Sequence, residues 1–506
     1  MASKGHAAAT SGHGYGDDTG GRTQAAAHFV FVPLVAQGHL IPAVDTALLL
    51  ASHGAVCTIA GTPATAAHVR PTVDSAQQTG LQVRLVEFPL DYAAVGLPEG
   101  SDMHNVPVEQ MDKYFDAMAL LRTPIERYLR ANAPFPTCIV SDFSHPWTTV
   151  LAANLGVPRL TFFSMGAFCL LCDHNVQRFH AFDGVAGDNE PVVVPGLERR
   201  VVLTRKQLPE FFRGIPVPWW QEFADFVERA QAQADGVIMN TFEEMEPEFV
   251  AGYAAARKMK VWTVGPVSLY HQRGAGATPA ARGNAAAIDA GECLQWLDGK
   301  APGSVVYVSF GSVAMADGKQ AMEIGLGLEA SGHPFIWVLR NAHDYDEATR
   351  AFLDEFEARV AGRGLLVRGW APQVLILSHA AVGGFMTHCG WNSTMEAVAA
   401  GLPVVTWPHF TDQFLNEKMA VEVLGIGVSI GVTEPLMYHR AAEKEVVVGR
   451  GVVEEAVRSV MGGGEAAEER RRRAHALAAK ARAAMQEGGS SHRNLLDLVD
   501  RFKAAS

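Results

Sequence analysis

Three features are scarce in this 506-residue sequence, and each scarcity narrows the possible classes of protein. No apolar run approaches the roughly 18 residues that a membrane-spanning helix needs, so we expect no membrane span. Lys and Arg number 42 against 54 Asp and Glu, and the net charge of −12 argues against a nucleic-acid partner. Only six cysteines occur. Because the N-terminus lacks the apolar core of a signal peptide, we expect reduced thiols in a cytoplasmic protein.

What the sequence does contain is an alternation of short apolar runs with longer amphipathic ones. Most of the short runs are apolar on both faces, which is typical of a parallel sheet covered by helices on each side. A Gly/Ala/Pro-rich stretch at 271–287 lacks periodicity and divides the alternation in two. The predicted strands are 28–33, 55–61, 81–89, 137–142, 158–164, 236–242 and 260–266, then 304–312, 334–340, 365–370, 382–388, 403–408 and 426–431.

This repetition predicts two doubly wound α/β domains that face each other. The predicted organisation, in chain order, is a disordered N-terminal extension at 1–27, a first domain at 28–266, an interdomain linker at 267–300, a second domain at 301–485 and a C-terminal helical segment at 486–506.

Several polar side chains stand where predicted strands end, which is where open α/β sheets bind ligands. His39 follows the first strand, and Asp142 closes the fourth. In the second half, Ser312 and His388 close two further strands. Taken alone, each is a weak signal: a lone His39 is more often a structural or surface residue, and Asp142 could cap a helix.

The stretch "HCGWNST" at 388–394 places polar groups where a predicted strand meets a helix. A helix beginning near Asn392 would direct unpaired N–H groups and a positive dipole end at a phosphate. There, His388 would add a donor that can become cationic. The structural alternative is a capping box of Ser393 and Glu396. Neither G-x-G-x-x-G nor the P-loop motif occurs, which disfavours a nicotinamide enzyme or a P-loop NTPase.

The 44 positions from Trp370 to Gln413, "WAPQVLILSHAAVGGFMTHCGWNSTMEAVAAGLPVVTWPHFTDQ", resemble the signature box of plant secondary-product UDP-glycosyltransferases. The stretches "PLVAQGHLIP", "CIVSDF" and "EGGSSHRNL" are similar to that family as well, so the resemblance spans nearly all of residues 28–500. It implies the GT-B fold, two Rossmann-like domains with a cleft between them. The first domain would bind an acceptor, the second would bind a UDP-sugar, and the C-terminal helix would pack back on the first domain.

The resemblance also implies a role for each residue of the predicted donor site. Trp370 would stack on uracil, the backbone of Ala371 and Gln373 would pair with the base, and a hydroxyl of Ser164 would contact the donor. The remaining assignments are Glu396 for the ribose hydroxyls, His388, Asn392, Ser393 and Ser312 for the diphosphate, and Trp391, Asp412 and Gln413 for the sugar hydroxyls.

The catalytic pair implied by the resemblance is His39 as general base and Asp142 as its orienting partner. An imidazole with a pKa near 6.5 suits proton removal from a hydroxyl at neutral pH. Attack opposite the departing UDP would invert the anomeric carbon, and no metal is expected because the helix end would stabilise the diphosphate. His145 stands where relatives more often carry an apolar residue; we expect a surface histidine, the alternatives being a contact with the acceptor or a second basic group.

The expected reaction is glucose transfer from UDP-glucose, since Gln413 resembles glucose-using members, to a small lipophilic acceptor such as a flavonoid. Terpenoid, hormone and xenobiotic acceptors stay open, and we expect a monomer. The alternatives are a non-catalytic UDP-sugar-binding protein and a UDP-sugar hydrolase or epimerase.

Overall fold

The computed structural model describes residues 26–101, 103, 106–208, 218–272, 282–284, 286–311, 317–340, 342–435 and 446–503. Two sequence predictions fall outside the described residues: nearly all of the N-terminal extension, and Ser312. Within these described ranges, no helix is long and apolar enough to cross a membrane.

The described strands fall within or close to the apolar runs, with one additional short pair. They are β1 (His28–Val32), β2 (Val56–Gly61), β3 (Val83–Glu87), β4 (Cys138–Asp142), β5 (Arg159–Phe163), β6 (Val192–Val193), β7 (Val202–Leu203), β8 (Gly236–Met239), β9 (Val261–Thr263), β10 (Val305–Ser309), β11 (Phe335–Val338), β12 (Gly364–Val367), β13 (Val382–Thr387), β14 (Val404–Thr406) and β15 (Gly427–Ser429). Two sheets, ordered β3-β2-β1-β4-β5-β8-β9 and β12-β11-β10-β13-β14-β15, contain parallel pairs throughout. The additional pair, β6 and β7, is antiparallel.

Helices follow most strands, as expected for parallel strands that need a crossover connection. The described helices are α1 (Gln37–Ser52), α2 (Pro63–Gln78), α3 (Met111–Leu120), α4 (Arg122–Ala131), α5 (Thr148–Leu155), α6 (Ala167–Arg178), α7 (Pro218–Ala232), α8 (Pro247–Arg257), α9 (Ala290–Asp298), α10 (Gly318–Ser331), α11 (Glu347–Arg359), α12 (Gln373–Leu377), α13 (Trp391–Ala400), α14 (Gln413–Lys418), α15 (Arg450–Met461), α16 (Glu465–Met485) and α17 (Ser490–Arg501).

Apolar side chains on both faces of each sheet form the core. Every residue of β1, β4, β5 and β10 is buried. One continuous apolar cluster includes side chains of both sheets together with Trp391 and Met395 of α13, so the packing crosses from one domain to the other. Separate clusters cover the remaining face of each sheet.

The order of strands reverses at the same point in both sheets. In the first, β1 lies between β2 and β4, and in the second, β10 lies between β11 and β13. Connections leave in opposite directions at such switch points, which opens a crevice beyond the carboxyl ends of the two central strands. The topology therefore brings the ends of β1 and β4 together, and likewise the ends of β10 and β13.

The last helix crosses back to the first domain. α17 packs against β9 and α1. Three side chains of the segment make hydrogen bonds there: Ser491 Oγ to the Gly265 carbonyl at 2.6 Å, Asn494 Nδ2 to the Thr263 carbonyl at 3.0 Å, and Asp497 Oδ2 from the Trp262 indole N–H at 2.6 Å. α17, which follows the second domain in the chain, thus packs on the first domain and connects the two.

Candidate active site

A cavity of about 790 Å³ opens between the carboxyl edges of the two sheets. Most of the residues predicted for catalysis and donor binding line it: His39, Ser164, Trp370, Ala371, Gln373, His388, Trp391, Asn392, Ser393, Glu396, Asp412 and Gln413. Asp142 lies behind His39, completely buried. The fold therefore gathers these residues, which are scattered over more than 370 sequence positions, around one cavity.

His39 and Asp142 form a hydrogen-bonded pair at the switch point of the first sheet. His39 lies in the first turn of α1, and Asp142 is the last residue of β4. The distance from His39 Nδ1 to Asp142 Oδ2 is 2.8 Å. The other carboxylate oxygen accepts hydrogen bonds from the Ser144 backbone N–H (2.9 Å) and hydroxyl (2.6 Å). This holds Nδ1 on the carboxylate, so Nε2 is the nitrogen left to act in the cavity.

Two opposing effects set the pKa of His39. Burial disfavours the imidazolium and would lower the pKa, but the charge and hydrogen bond of Asp142 outweigh it and raise the pKa above 6.5. The Asp142 pKa moves the other way: burial would raise it, and His39 lowers it below its usual value. The carboxylate therefore stays ionised and strengthens His39 as a base.

His145 is completely buried, so the expectation of a surface histidine is wrong. It follows β4 by three residues and does not line the cavity. Burial lowers its pKa below 6.5 despite the nearby Asp142. His145 is therefore neutral, and because it does not line the cavity it supplies no second base there.

The start of α13 leaves backbone donors available at the cavity. The helix begins at Trp391, and Gly390 precedes it without a side-chain cap. Ser393 is thus inside the first turn, and the capping-box interpretation of Ser393 and Glu396 is wrong. The N–H groups of a first turn have no partner within the helix, and they carry the positive end of its dipole. An anionic group bound here would accept hydrogen bonds from these N–H groups and be stabilised by the helix dipole.

His388 contacts the backbone closely just before this helix. A Cβ built on Gly390 would lie 2.5 Å from His388 Nε2, and one on Gly311, which has φ +74°, would also clash with the imidazole. Burial, aided by His409, lowers the pKa of His388 to about 3. In this structure His388 is therefore a neutral imidazole, which offers one N–H.

The side chains of Trp391 and Asn392 join the two domains. The Trp391 indole N–H donates to the Asn240 carbonyl at 2.8 Å. Asn392 donates from Nδ2 to the Gly38 carbonyl at 2.7 Å and accepts from Asn240 Nδ2 at 3.1 Å. Gly166 faces Trp391, since a Cβ there would lie 2.5 Å from the ring. The polar atoms of both side chains are thus engaged in the domain interface, leaving the backbone at these positions for a ligand.

Trp370, Gln373 and Glu396 lie together at one end of the cavity. The guanidinium of Arg340 lies 5.6 Å from the centre of the Trp370 ring. Gln373 Nε2 donates to Ser393 Oγ at 3.0 Å and to Glu396 Oε2 at 2.8 Å. An aromatic face next to a fixed carboxylate suits a nucleoside, whose base can stack and whose hydroxyls can donate.

Arg282 is a functional candidate that the sequence did not reveal. Its Nε donates to Asp45 Oδ2 at 2.8 Å, and its Nη1 donates to Glu396. Asp45 also pairs with His271 Nε2 at 2.6 Å. All of these side chains are at most 9% exposed. Arg282 lies in the aperiodic linker, where neither hydrophobic period nor motif indicates which residue faces the cavity.

Asp412 and Gln413 lie where the second domain meets the cavity near His39. Asp412 accepts from Thr411 Oγ1 at 2.9 Å and Asn416 Nδ2 at 2.7 Å, while burial raises its pKa. Gln413 Oε1 accepts the backbone N–H groups of His409 (2.8 Å) and Phe410 (3.2 Å), which leaves Nε2 as its donor. The electrostatic influence of Asp412 reaches His39 across the cleft.

Comparisons with known proteins agree with this arrangement. Residues 290–441 match the family described as "UDP-glucoronosyl and UDP-glucosyl transferase". UDP-glycosyltransferase 73C5 of Arabidopsis thaliana is 44% identical over 479 residues, 93% of this chain and 96% of the relative. UDP-glycosyltransferase 73E1 of Stevia rebaudiana is 46% identical over 481 residues, 93% and 95% of the two chains. The chain belongs to the UDP-glycosyltransferase family.

Solved structures also resemble this UDP-glycosyltransferase. Glycyrrhiza uralensis UGT73P12, complexed with glycyrrhetinic acid 3-O-monoglucuronide, is 35% identical with a TM-score of 0.83, covering 94% of this chain and 96% of that chain. Phytolacca americana UGT2, complexed with UDP-2fluoro-glucose and pterostilbene, is 27% identical with a TM-score of 0.72, covering 94% and 100%. The predictions of a UDP-glycosyltransferase and of the GT-B fold, two Rossmann-like domains facing across a cleft, are confirmed.

The UDP-glycosyltransferase cavity continues past His39 into the first domain. Its apolar wall consists of side chains from the ends of β4 and β5 and from α6, α7 and α8: Phe143, Phe163, Met165, Leu170, Phe223 and Tyr253. Trp220 also lines the cavity. This wall suits a lipophilic acceptor.

Replacing Arg282 by Met should destabilise the UDP-glycosyltransferase, because Asp45 and Glu396 would remain buried without their shared cation. Removing one partner of a buried ion pair costs about 3–5 kcal/mol in free energy of unfolding. Urea denaturation followed by fluorescence measures the change. The control is Arg70→Met, which breaks an exposed pair with Glu87 and should cost under about 1 kcal/mol. Equal effects of the two substitutions would contradict the bridging role.

Proposed function

We propose that this UDP-glycosyltransferase transfers glucose from UDP-glucose to a hydroxyl of a small lipophilic acceptor, a phenolic such as a flavonoid. His39 acts as general base and Asp142 orients it. The observation that carries the proposal is the 2.8 Å bond from His39 Nδ1 to a completely buried carboxylate, with the imidazole lining the cavity. Pterostilbene and glycyrrhetinic acid monoglucuronide, found in the related structures, support a lipophilic acceptor.

In the proposed mechanism, Nε2 of His39 removes the proton of the acceptor hydroxyl as its oxygen attacks the anomeric carbon. The new C–O bond forms while the bond to the UDP oxygen breaks, and UDP leaves with the electron pair. Asp142 stabilises the imidazolium that forms and holds the tautomer with the proton on Nδ1. Because the base and the leaving group flank the sugar from opposite sides, the configuration inverts.

The leaving diphosphate would lie at the start of α13. Its charge is met by the first-turn N–H groups, the helix dipole and the single N–H of neutral His388, together with Ser393. We propose that this electrostatic stabilisation suffices without a metal ion. The family resemblance assigns two further hydroxyl groups to donor binding, those of Ser164 and Ser312.

The proposal assigns the uracil to Trp370 with the backbone of Ala371 and Gln373, and the ribose to Glu396. The sugar would lie between His39 and the pair Asp412 and Gln413, whose carboxylate and Nε2 offer one acceptor and one donor to its hydroxyls. The choice of glucose rests on Gln413, the residue shared with glucose-using members.

The test is mass spectrometry of reactions that contain UDP-glucose and a panel of phenolic and terpenoid alcohols. We expect glycosides that form equally in the presence of EDTA. In His39→Ala they should decline by about 10²- to 10⁴-fold, the typical contribution of a general base. His343→Ala, at an 81% exposed histidine, is the control. UDP release that needs no acceptor would indicate a hydrolase, and UDP binding without any product would indicate a binding protein.

The pH dependence of kcat/KM should follow the protonation of His39. Activity falls on the acid side because imidazolium cannot accept a proton, and the midpoint should lie above 6.5 because Asp142 raises the pKa. In Asp142→Asn, burial acts without the opposing charge, so the acid limb should move to lower pH while the maximal rate drops. An acid limb that stays in place in Asp142→Asn would show that another group controls it.

A further inference from the structure

The acceptor cavity ends in a polar region distant from His39. Along α6, the cavity-facing residues Leu170, His174 and Gln177 follow a helical period, and the face from the first to the last extends about 10 Å. On α8, Tyr253 lines the apolar part of the cavity, and Arg257 lies one helical turn further along. The wall thus changes from apolar to polar with increasing distance from the ends of the strands.

Two buried nitrogen atoms in this region have no hydrogen-bond partner among the described residues. The Arg257 side chain is only 7% exposed, and its Nη1 lies 2.5 Å from Glu228 Oε1, yet its Nη2 is buried and unpaired. The Nε2 of His174, on the adjoining helix, is also buried and unpaired. Leaving such groups unpaired costs free energy, and because both side chains line the cavity, a hydrogen-bonding group of a bound ligand would supply the missing partners.

The charges around these atoms limit what that ligand can be. Three carboxylates, Asp173, Asp225 and Glu228, line the cavity together with Arg257, and the charge of Arg178 also reaches His174 from outside the cavity wall, so carboxylates outnumber guanidinium groups here. Burial, and then the charge of Arg257, lowers the pKa of His174, so its imidazole is neutral. The acidic surroundings disfavour an anion. A neutral hydroxyl matches the mixture of donors and acceptors, because it can accept from Arg257 and exchange a hydrogen bond with His174.

We propose that His174 and Arg257 form a distal subsite that binds a neutral, hydroxyl-bearing group of the acceptor, opposite the hydroxyl that His39 activates. The group is a sugar already attached to the acceptor or a hydroxyl of the acceptor skeleton itself. This inference rests on the proposed function, since it refines which acceptors that site takes. It predicts that the enzyme prefers acceptors with polar groups at both ends over acceptors that are apolar at the far end.

The experiment uses four acceptors built on one flavonol skeleton. At the end remote from the reacting hydroxyl they carry a hydrogen, a hydroxyl, a glucosyl or a glucuronosyl group. We expect kcat/KM with UDP-glucose to be highest for the hydroxyl or the glucosyl acceptor, and the better of the two identifies the source of the group. The glucuronosyl acceptor should be poorer than the glucosyl one because its carboxylate faces three acidic side chains.

His174→Phe and Arg257→Met should each reduce the advantage of the preferred acceptor over the hydrogen-bearing one by about fivefold to tenfold, the effect of losing one hydrogen bond. The change should appear in KM. Matched controls are His343→Phe, at an exposed histidine of the other domain, and Arg70→Met, at an exposed arginine outside the cavity wall. If one distal variant fails to fold, the other decides.

Acceptor binding, followed by the quenching of tryptophan fluorescence that Trp220 in the cavity wall allows, separates this inference from the proposed function. If no acceptor is glucosylated but the preferred one still binds more weakly to the distal variants, the proposed function fails and the subsite stands. The subsite is overturned if the hydroxyl and glucosyl groups bring no gain in binding, or if the gain survives both substitutions.

Discussion

The hydrogen bonds between the start of α13 and the first domain are the constraint on which the site depends. Asn392 binds the carbonyl of Gly38, the residue before His39, and both Trp391 and Asn392 bind Asn240 at the end of β8. One helix terminus is thereby fixed against the first turn of α1, which carries the proposed base. Since general-base catalysis requires hydrogen-bonding distance, a small displacement between the domains would separate the base from the reacting carbon.

Burial shifts the pKa values of the titratable groups in the cleft, and their charged neighbours decide the direction of each shift. His39 has a carboxylate partner and becomes a stronger base, whereas His388 and His145 lack one strong enough to offset burial and are neutral. Arg282 neutralises two buried carboxylates, one from each domain. The same residue type thus serves as base or neutral donor according to its neighbours, which is how one cleft can hold a base and a leaving-group site side by side.

Much of this arrangement could be predicted because it follows from local patterns. Strands that are apolar on both faces indicate a parallel sheet, and polar residues at their carboxyl ends indicate the crevice, so His39 and Asp142 could be placed there. Their roles, and those of the 370–413 box, followed from the resemblance to a family. Arg282, His174 and Arg257 could not be assigned, because their roles depend on partners far along the chain. The burial of His145 could not be predicted for the same reason: its sequence neighbours do not reveal what packs over it.

The most direct test of the account is the anomeric configuration of the first glycoside formed from UDP-glucose, in which glucose is α-linked. Proton NMR distinguishes the two products, because the anomeric proton of a β-glucoside shows a large diaxial coupling and that of an α-glucoside a small one. A base and a departing diphosphate on opposite sides of the sugar predict the β-glucoside alone. An α-glucoside as the initial product would contradict the single displacement with His39 as base.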